Sequence, residues 1–226
     1  MEELKNRIYL SFIFQDRWEF FVEGLWMTLL LTAGSFVIGS LLGAAFCVLK
    51  TSRHGVVRKV TNAFISFLVQ LPTLVVLMLF VYIIFGETSL SVTIIVLFGL
   101  TLKAGAYLSD IFYTAVTAVN SGEVEAAHTL GLSRVQVFRY ITLPQAISMA
   151  LPVYKNQFII TLQETSVVGY LAIMDLTRAS EVVTSRTYDA LFGLIFVSVL
   201  YLFIGYLGNL LLSLLGREKH LGGDSE

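Results

Sequence analysis

Five mostly apolar stretches, each near the length of a membrane-crossing helix, leave this chain few ways to fold. A crossing helix needs about 20 such residues. The runs fall at residues 20–49, 61–85, 91–119, 145–162 and 190–215. The fourth is short and carries Pro152, Lys155, Asn156 and Gln157; it counts as a span because its neighbours require one. With 56% hydrophobic and 14% charged residues in 226, a soluble domain is excluded. The fold class is therefore an all-α integral membrane protein in a lipid bilayer. A formal charge of -1 gives no reason to expect a nucleic-acid partner. Cys47 is the one cysteine, which rules out an intrachain disulfide and suits a packing role, and His54, His128 and His220 share no ligand spacing, so no metal site is expected.

Residues 1–19 mix acids and bases with Tyr9, Leu10, Phe12, Ile13, Phe14 and Trp18. They read as an amphipathic interfacial segment and not as a cleavable signal. Orientation follows from Lys50, Arg53, Arg58 and Lys59, four basic residues with no acid between the first two runs, which places that connection in the cytoplasm. Five spans then put the N-terminus outside. Residues 120–144 and the tail at 217–226 are expected inside, and Glu87 and residues 175–189 outside. Within the first span Ser35, Gly39 and Gly43 recur every four residues, a small-residue face for close helix packing, either within the chain or at a dimer contact. Between the fourth and fifth spans, Leu171, Met174, Ala179, Val182 and Val183 predict a half-buried outer helix within residues 167–187.

The polar connection at 120–144 breaks the apolar pattern in a structured way. A short helix is expected from Glu123 to Leu130, with Ala126 and Ala127 permitting close approach and Gly131 supplying a left-handed stop. Ser133 caps a second helix, with Gln136 completing a capping box, and Pro144 suits the first turn of the helix that returns to the membrane. Val135, Val137, Phe138 and Ile141 give this knob a hydrophobic side that fits a protein groove. Glu125-Ala126-Ala127, Gly131, Ile141 and Leu143-Pro144 stand at the spacing of the EAA loop, and on them the chain resembles the permease subunits of ABC importers. That resemblance implies the type I (MetI-like) architecture in a bacterial cell (inner) membrane, with the permease domain at 20–216. It also implies that ABC ATPase subunits grip the loop and that ATP and Mg bind on those partners. No cofactor is expected on this chain, which has no Walker A pattern, no H-E-x-x-H and no G-x-S-x-G, so it is not expected to be an enzyme.

Ionisable and polar groups at membrane depth are costly, and so are functional candidates. Lys103 and Asp110 lie two helical turns apart on the third span, nearly on one face. Lys155 and Glu164 flank Asn156, Gln157, Gln163, Thr165 and Ser166 on or beyond the fourth. Carboxylate, amine and amide groups together suit a zwitterionic solute; the alternative is mutual pairing, Asp110 with Lys155, or snorkelling. Gln70, before Pro72, is placed to bond the carbonyl that the proline frees, or to line a translocation path.

The resemblance narrows to the polar amino acid permeases, the histidine, glutamine, glutamate and arginine group, over about residues 24–216. Ala106, Tyr107 and Ile111 resemble that group's AY-x-E-I stretch, with Asp110 in place of glutamate. Leu143, Pro144, Gln145, Ala146, Pro152 and Asn156 match its LPQA and P-x-x-x-N run. Gln163, Glu164, Thr165 and Ser166 resemble its K-D-T-S segment without the lysine, and Val69, Gln70, Leu71, Pro72 stand where it has R-G-T-P. An extracytoplasmic amino-acid-binding protein and a second permease subunit, identical or homologous, are implied as partners. The rival readings are a permease of the same kind for methionine, phosphonate or an oxyanion, and an ATPase-independent channel or scaffold.

Overall fold

The computed structural model describes residue 2 and residues 9–215; most of the expected interfacial segment before Tyr9 and the tail at 217–226 lie outside the described residues. Every regular element among these is helical. Three helices alone have the length and hydropathy to cross a membrane: α1 (Trp18–Lys50), α4 (Val92–Thr117) and α9 (Ala190–Leu215). They match the first, third and fifth expected spans. The remaining two are bent pairs, so the count reaches five only if each pair is one span.

The second expected span is not one helix. Its halves, α2 (Gly55–Gln70) and α3 (Thr73–Met78, extended by a π turn at Leu79–Ile84), meet at 112°. A residue before proline is pushed out of the α region, and Leu71 is accordingly extended at ψ 140°, ending α2. Past the break, Leu77 is buried beside Leu31, Val96 and Leu100, and Val76 beside Ile65, Leu68 and Ala106, so the short arm is packed inside protein. That burial makes a broken backbone tolerable at membrane depth.

Helix α5 (Ser121–Thr129) forms the first arm of the polar connection, slightly longer than expected. The second arm, α6 (Arg134–Val137), does not stop before the membrane. It passes through a π turn (Phe138–Thr142) into α7 (Leu143–Glu164) and on through a 3-10 turn (Thr165–Leu171), a single helical path from Arg134 to Leu171. Pro144 stands in the first turn of α7, as expected, although that helix continues the π turn and does not start afresh. It follows the π turn, whose shifted hydrogen bonds suit the neighbourhood of a residue without an N–H. The expected outer helix forms as α8 (Leu176–Thr187), half-buried through Leu176, Ala179, Ser180 and Val183 and capped by the Asp175 carboxylate on the N–H groups of Thr177 and Arg178, so that Leu171 and Met174 precede it.

Helices α1 and α4 run side by side, and the small residues explain how. A Cβ on Gly39 would lie 2.9 Å from Cβ of Ala104, and one on Gly43 2.8 Å from Cβ of Leu108. The Ser35, Gly39, Gly43 face is thus spent inside the protomer. Gly24 does the same for the outer helix, where a Cβ would meet the Asp175 carbonyl oxygen at 2.6 Å. Near the start of α9 Phe12 packs edge-on against Phe192 and Phe196, tying the N-terminal segment to that helix. Tyr9, Ile13 and Trp18 remain exposed.

Candidate functional site

Two groups of residues carry the candidate chemistry, one at the polar connection and one inside the membrane-spanning bundle. At the connection, Asn120 accepts from the Gly122 N–H at 2.8 Å to start α5, a cap the sequence reading missed. The helix stops at Gly131, whose φ of +86° is the left-handed geometry expected of it. The Leu132 N–H bonds back to the Ala127 carbonyl at 3.2 Å, the long bond of a Schellman ending. Ser133 and Gln136 form the anticipated capping box, with the Gln136 side chain accepting from the Ser133 N–H at 2.8 Å. Gln145 on α7 donates to Glu123 at 2.6 Å and ties α5 to the long helix.

The knob's faces divide differently from expectation. Ala127 and Val137 are buried between the arms and Ile141 is half-buried, because they hold the two helices together. Glu125, Ala126, Leu143 and Pro144 are exposed, and the outward apolar groups are Leu130, Val135, Phe138 and Tyr140. Leu130 and Tyr140 were missed; neither falls at a position that helical periodicity marks.

Inside the bundle, Lys103 is 2% exposed and points at the α2–α3 break. Its ammonium donates to the Leu71 carbonyl at 2.7 Å and lies 3.6 Å from Oε1 of Glu164. Thr73, the first residue of α3, donates to the same Oε1 at 2.8 Å, and the Tyr107 hydroxyl reaches the Val69 carbonyl at 3.3 Å. The carbonyls at the break are thus served by Lys103 and Tyr107. Gln70, expected to do this or to line a path, is exposed and has no side-chain hydrogen bond among the described residues. Oε2 of Glu164 is buried with no hydrogen-bond partner, as is Nε2 of Gln157, two turns earlier on α7. A carboxylate with one oxygen anchored and the other unsatisfied is equipped to take a further donor.

The other candidates disperse. Asp110 does not join Lys103 or Lys155; it pairs with Lys50 at the C-terminal end of α1, and that ammonium lies 5.0 Å from the centre of the Tyr113 ring. Lys50 had counted only toward topology. Asn156 is exposed and Lys155 half-buried. Thr165 and Ser166 turn their hydroxyls back onto the carbonyls of Leu162 and Gln163, each at 2.7 Å. No cluster of three or more metal-ligating side chains occurs among the described residues.

Residues 25–220 match the model of the family described as the binding-protein-dependent transport system inner membrane component. The chain belongs to this permease family. Among curated relatives, the permease is 30% identical over 233 residues to the histidine/lysine/arginine/ornithine transport system permease protein HisM of Salmonella typhimurium, covering 97% of this chain and 96% of that one. It is 30% identical to the probable amino-acid permease protein YxeN of Bacillus subtilis, over 88% of this chain and 94% of the relative. Among solved structures, that of an amino acid ABC transporter with histidines superposes with a TM-score of 0.79 at 31% identity, covering 88% of this permease and 94% of that chain. The methionine transporter MetNI, at 22% identity and a TM-score of 0.73, shares the fold.

Proposed function

We propose that this permease carries a polar amino acid inward across a bacterial inner membrane, receiving it from a separate solute-binding protein and drawing energy from ATPase subunits docked on the 120–144 connection. The observation that carries the reading is the pair of capped helices joined at Gly131, which presents Leu130, Val135, Phe138 and Tyr140 to a partner. The polar amino acid follows from the relatives named above and from the buried carboxylate of Glu164. In this reading Lys103 and Thr73 fix one carboxylate oxygen and Oε2 receives the substrate ammonium. ATP and Mg belong to the partner chains, and two permease subunits, alike or homologous, enclose the path.

The test is uptake of labelled glutamine, histidine and arginine by vesicles reconstituted with ATPase and binding protein. Glu164→Gln keeps shape and loses charge. A buried charge-assisted hydrogen bond contributes about 1.5–3 kcal/mol, so apparent affinity should fall about tenfold to a hundredfold with assembly and basal ATP hydrolysis intact. An unchanged uptake curve for all three would remove Glu164 from the substrate path, and no uptake of any would remove the substrate class. Orientation has its own check: cysteine at Ser52 should react only from the cytoplasmic side and cysteine at Ser89 only from outside. The reverse pattern would put the connection on the wrong side for an ATPase.

A further inference from the structure

A polar cavity, about 370 Å³, opens near the expected cytoplasmic end of the bundle between α1, α2 and α4. Its volume falls within the roughly 300–1,000 Å³ of small-molecule sites. The charged groups on its wall are Lys50, Arg58 and Asp110, joined by Asn62, Ser66 and Tyr113. Oδ1 of Asp110 is taken by Lys50, while Oδ2 and the Arg58 guanidinium have no partner among the described residues. On α2, Arg58, Asn62 and Ser66 recur every fourth residue, one face of a helix, and the next step on that face is Gln70, beside the break where Lys103 meets Leu71. A polar stripe therefore runs along the exposed face of α2 from the break to the cavity.

We propose that this cavity is a cytoplasm-facing subsite for the transported amino acid, with Lys50 and Arg58 taking its carboxylate and Asp110 its ammonium. The inference rests on the importer reading above. A doubly charged phosphate fits less well, because Asp110 shares the wall with the two cations and repels it. A zwitterion meets both signs. A lipid headgroup carrying an ammonium and a phosphate has similar chemistry; the stripe favours the free solute, since it runs along α2 from the cavity to the break. Occupied from the cytoplasm, the site slows further import when the amino acid is abundant inside.

The test uses vesicles holding the whole transporter, with ATP in the lumen and the loaded binding protein outside, preloaded with increasing unlabelled amino acid. Uptake by the native protein should fall with lumenal amino acid. In Arg58→Gln the half-inhibiting concentration, with each curve normalised to that variant's rate into empty vesicles, should rise about tenfold or more. Asp110→Asn should do the same, and Arg58, being an exposed side chain, guards against a folding defect in the other. Uptake insensitive to lumenal amino acid, or inhibition equal in native and variant proteins, overturns the subsite. Lumenal inorganic phosphate inhibiting as well as the amino acid would reassign it to anions. A curve that shifts when phosphatidylethanolamine is omitted from the vesicles would reassign it to lipid. Failure of all three amino acids to enter empty vesicles would bring down the importer reading, and this inference with it.

Discussion

The connection at 120–144 and the buried centre at Lys103 are built on opposite plans. The connection is assembled within one short stretch of chain: its capping hydrogen bonds reach two to five residues along it, Gln145 to Glu123 alone reaching 22, and most of its side chains are exposed. The centre draws Leu71, Thr73, Lys103 and Glu164 from both sides of a helix break and from two further helices, across sequence separations of 32 and 91 residues. The first can be altered without disturbing the bundle. The second cannot, because its ion pair holds α3, α4 and α7 at one point.

The largest effect should come from the centre. Lys103→Met leaves Glu164 buried with its cation gone, and breaking such a pair typically costs about 3–5 kcal/mol. The purified permease should lose most of its thermal stability margin, and adding Glu164→Gln should restore part of it. A melting curve unchanged by Lys103→Met would show that water already reaches the pair, and the contrast between the two regions would fail. Next comes Gly131→Val. The added Cβ meets no atom within 4 Å, so the penalty is purely that of a β-branched residue at φ +86°, on the order of 1–2 kcal/mol. Stimulated ATP hydrolysis and uptake should drop while the melting temperature stays put; if both are retained with the ATPase bound, the turn has no part in coupling. The smallest is Ser133→Ala, which removes a cap worth about 1 kcal/mol. Amide exchange should accelerate at Val135 to Val137 and remain unchanged around Thr161. Acceleration along the whole of α7 would make connection and span one cooperative unit and erase the distinction.

This difference in plan also governs what the sequence disclosed. Gly131, the Ser133 and Gln136 box and the half-buried outer helix follow from spacing, because their causes lie within a few residues. Three full spans are likewise legible from hydropathy. The break at Pro72 was visible as a proline in an apolar run, but its sharpness depends on burial of α3 beneath α1 and α4, which no local pattern carries. Lys103 and Asp110 shared a helical face and were read together. The fold parts them, since each finds an opposite charge on another helix, Glu164 for one and Lys50 for the other. Gly39 and Gly43 announced a close contact without naming the partner, which proved to be α4.

The unbroken path from Arg134 to Leu171 makes the number of residues in it a quantity under constraint. Each residue of an α-helix turns the chain by about 100°, so one insertion or deletion between Val137 and Glu164 would swing the acid away from Lys103 while leaving every side chain chemically intact. The π turn at Phe138–Thr142 is the place where that count is set, since a π turn holds one residue more than the α turn it replaces. Side chains along α7 are free to exchange among apolar types; the tally between the connection and the buried carboxylate is not.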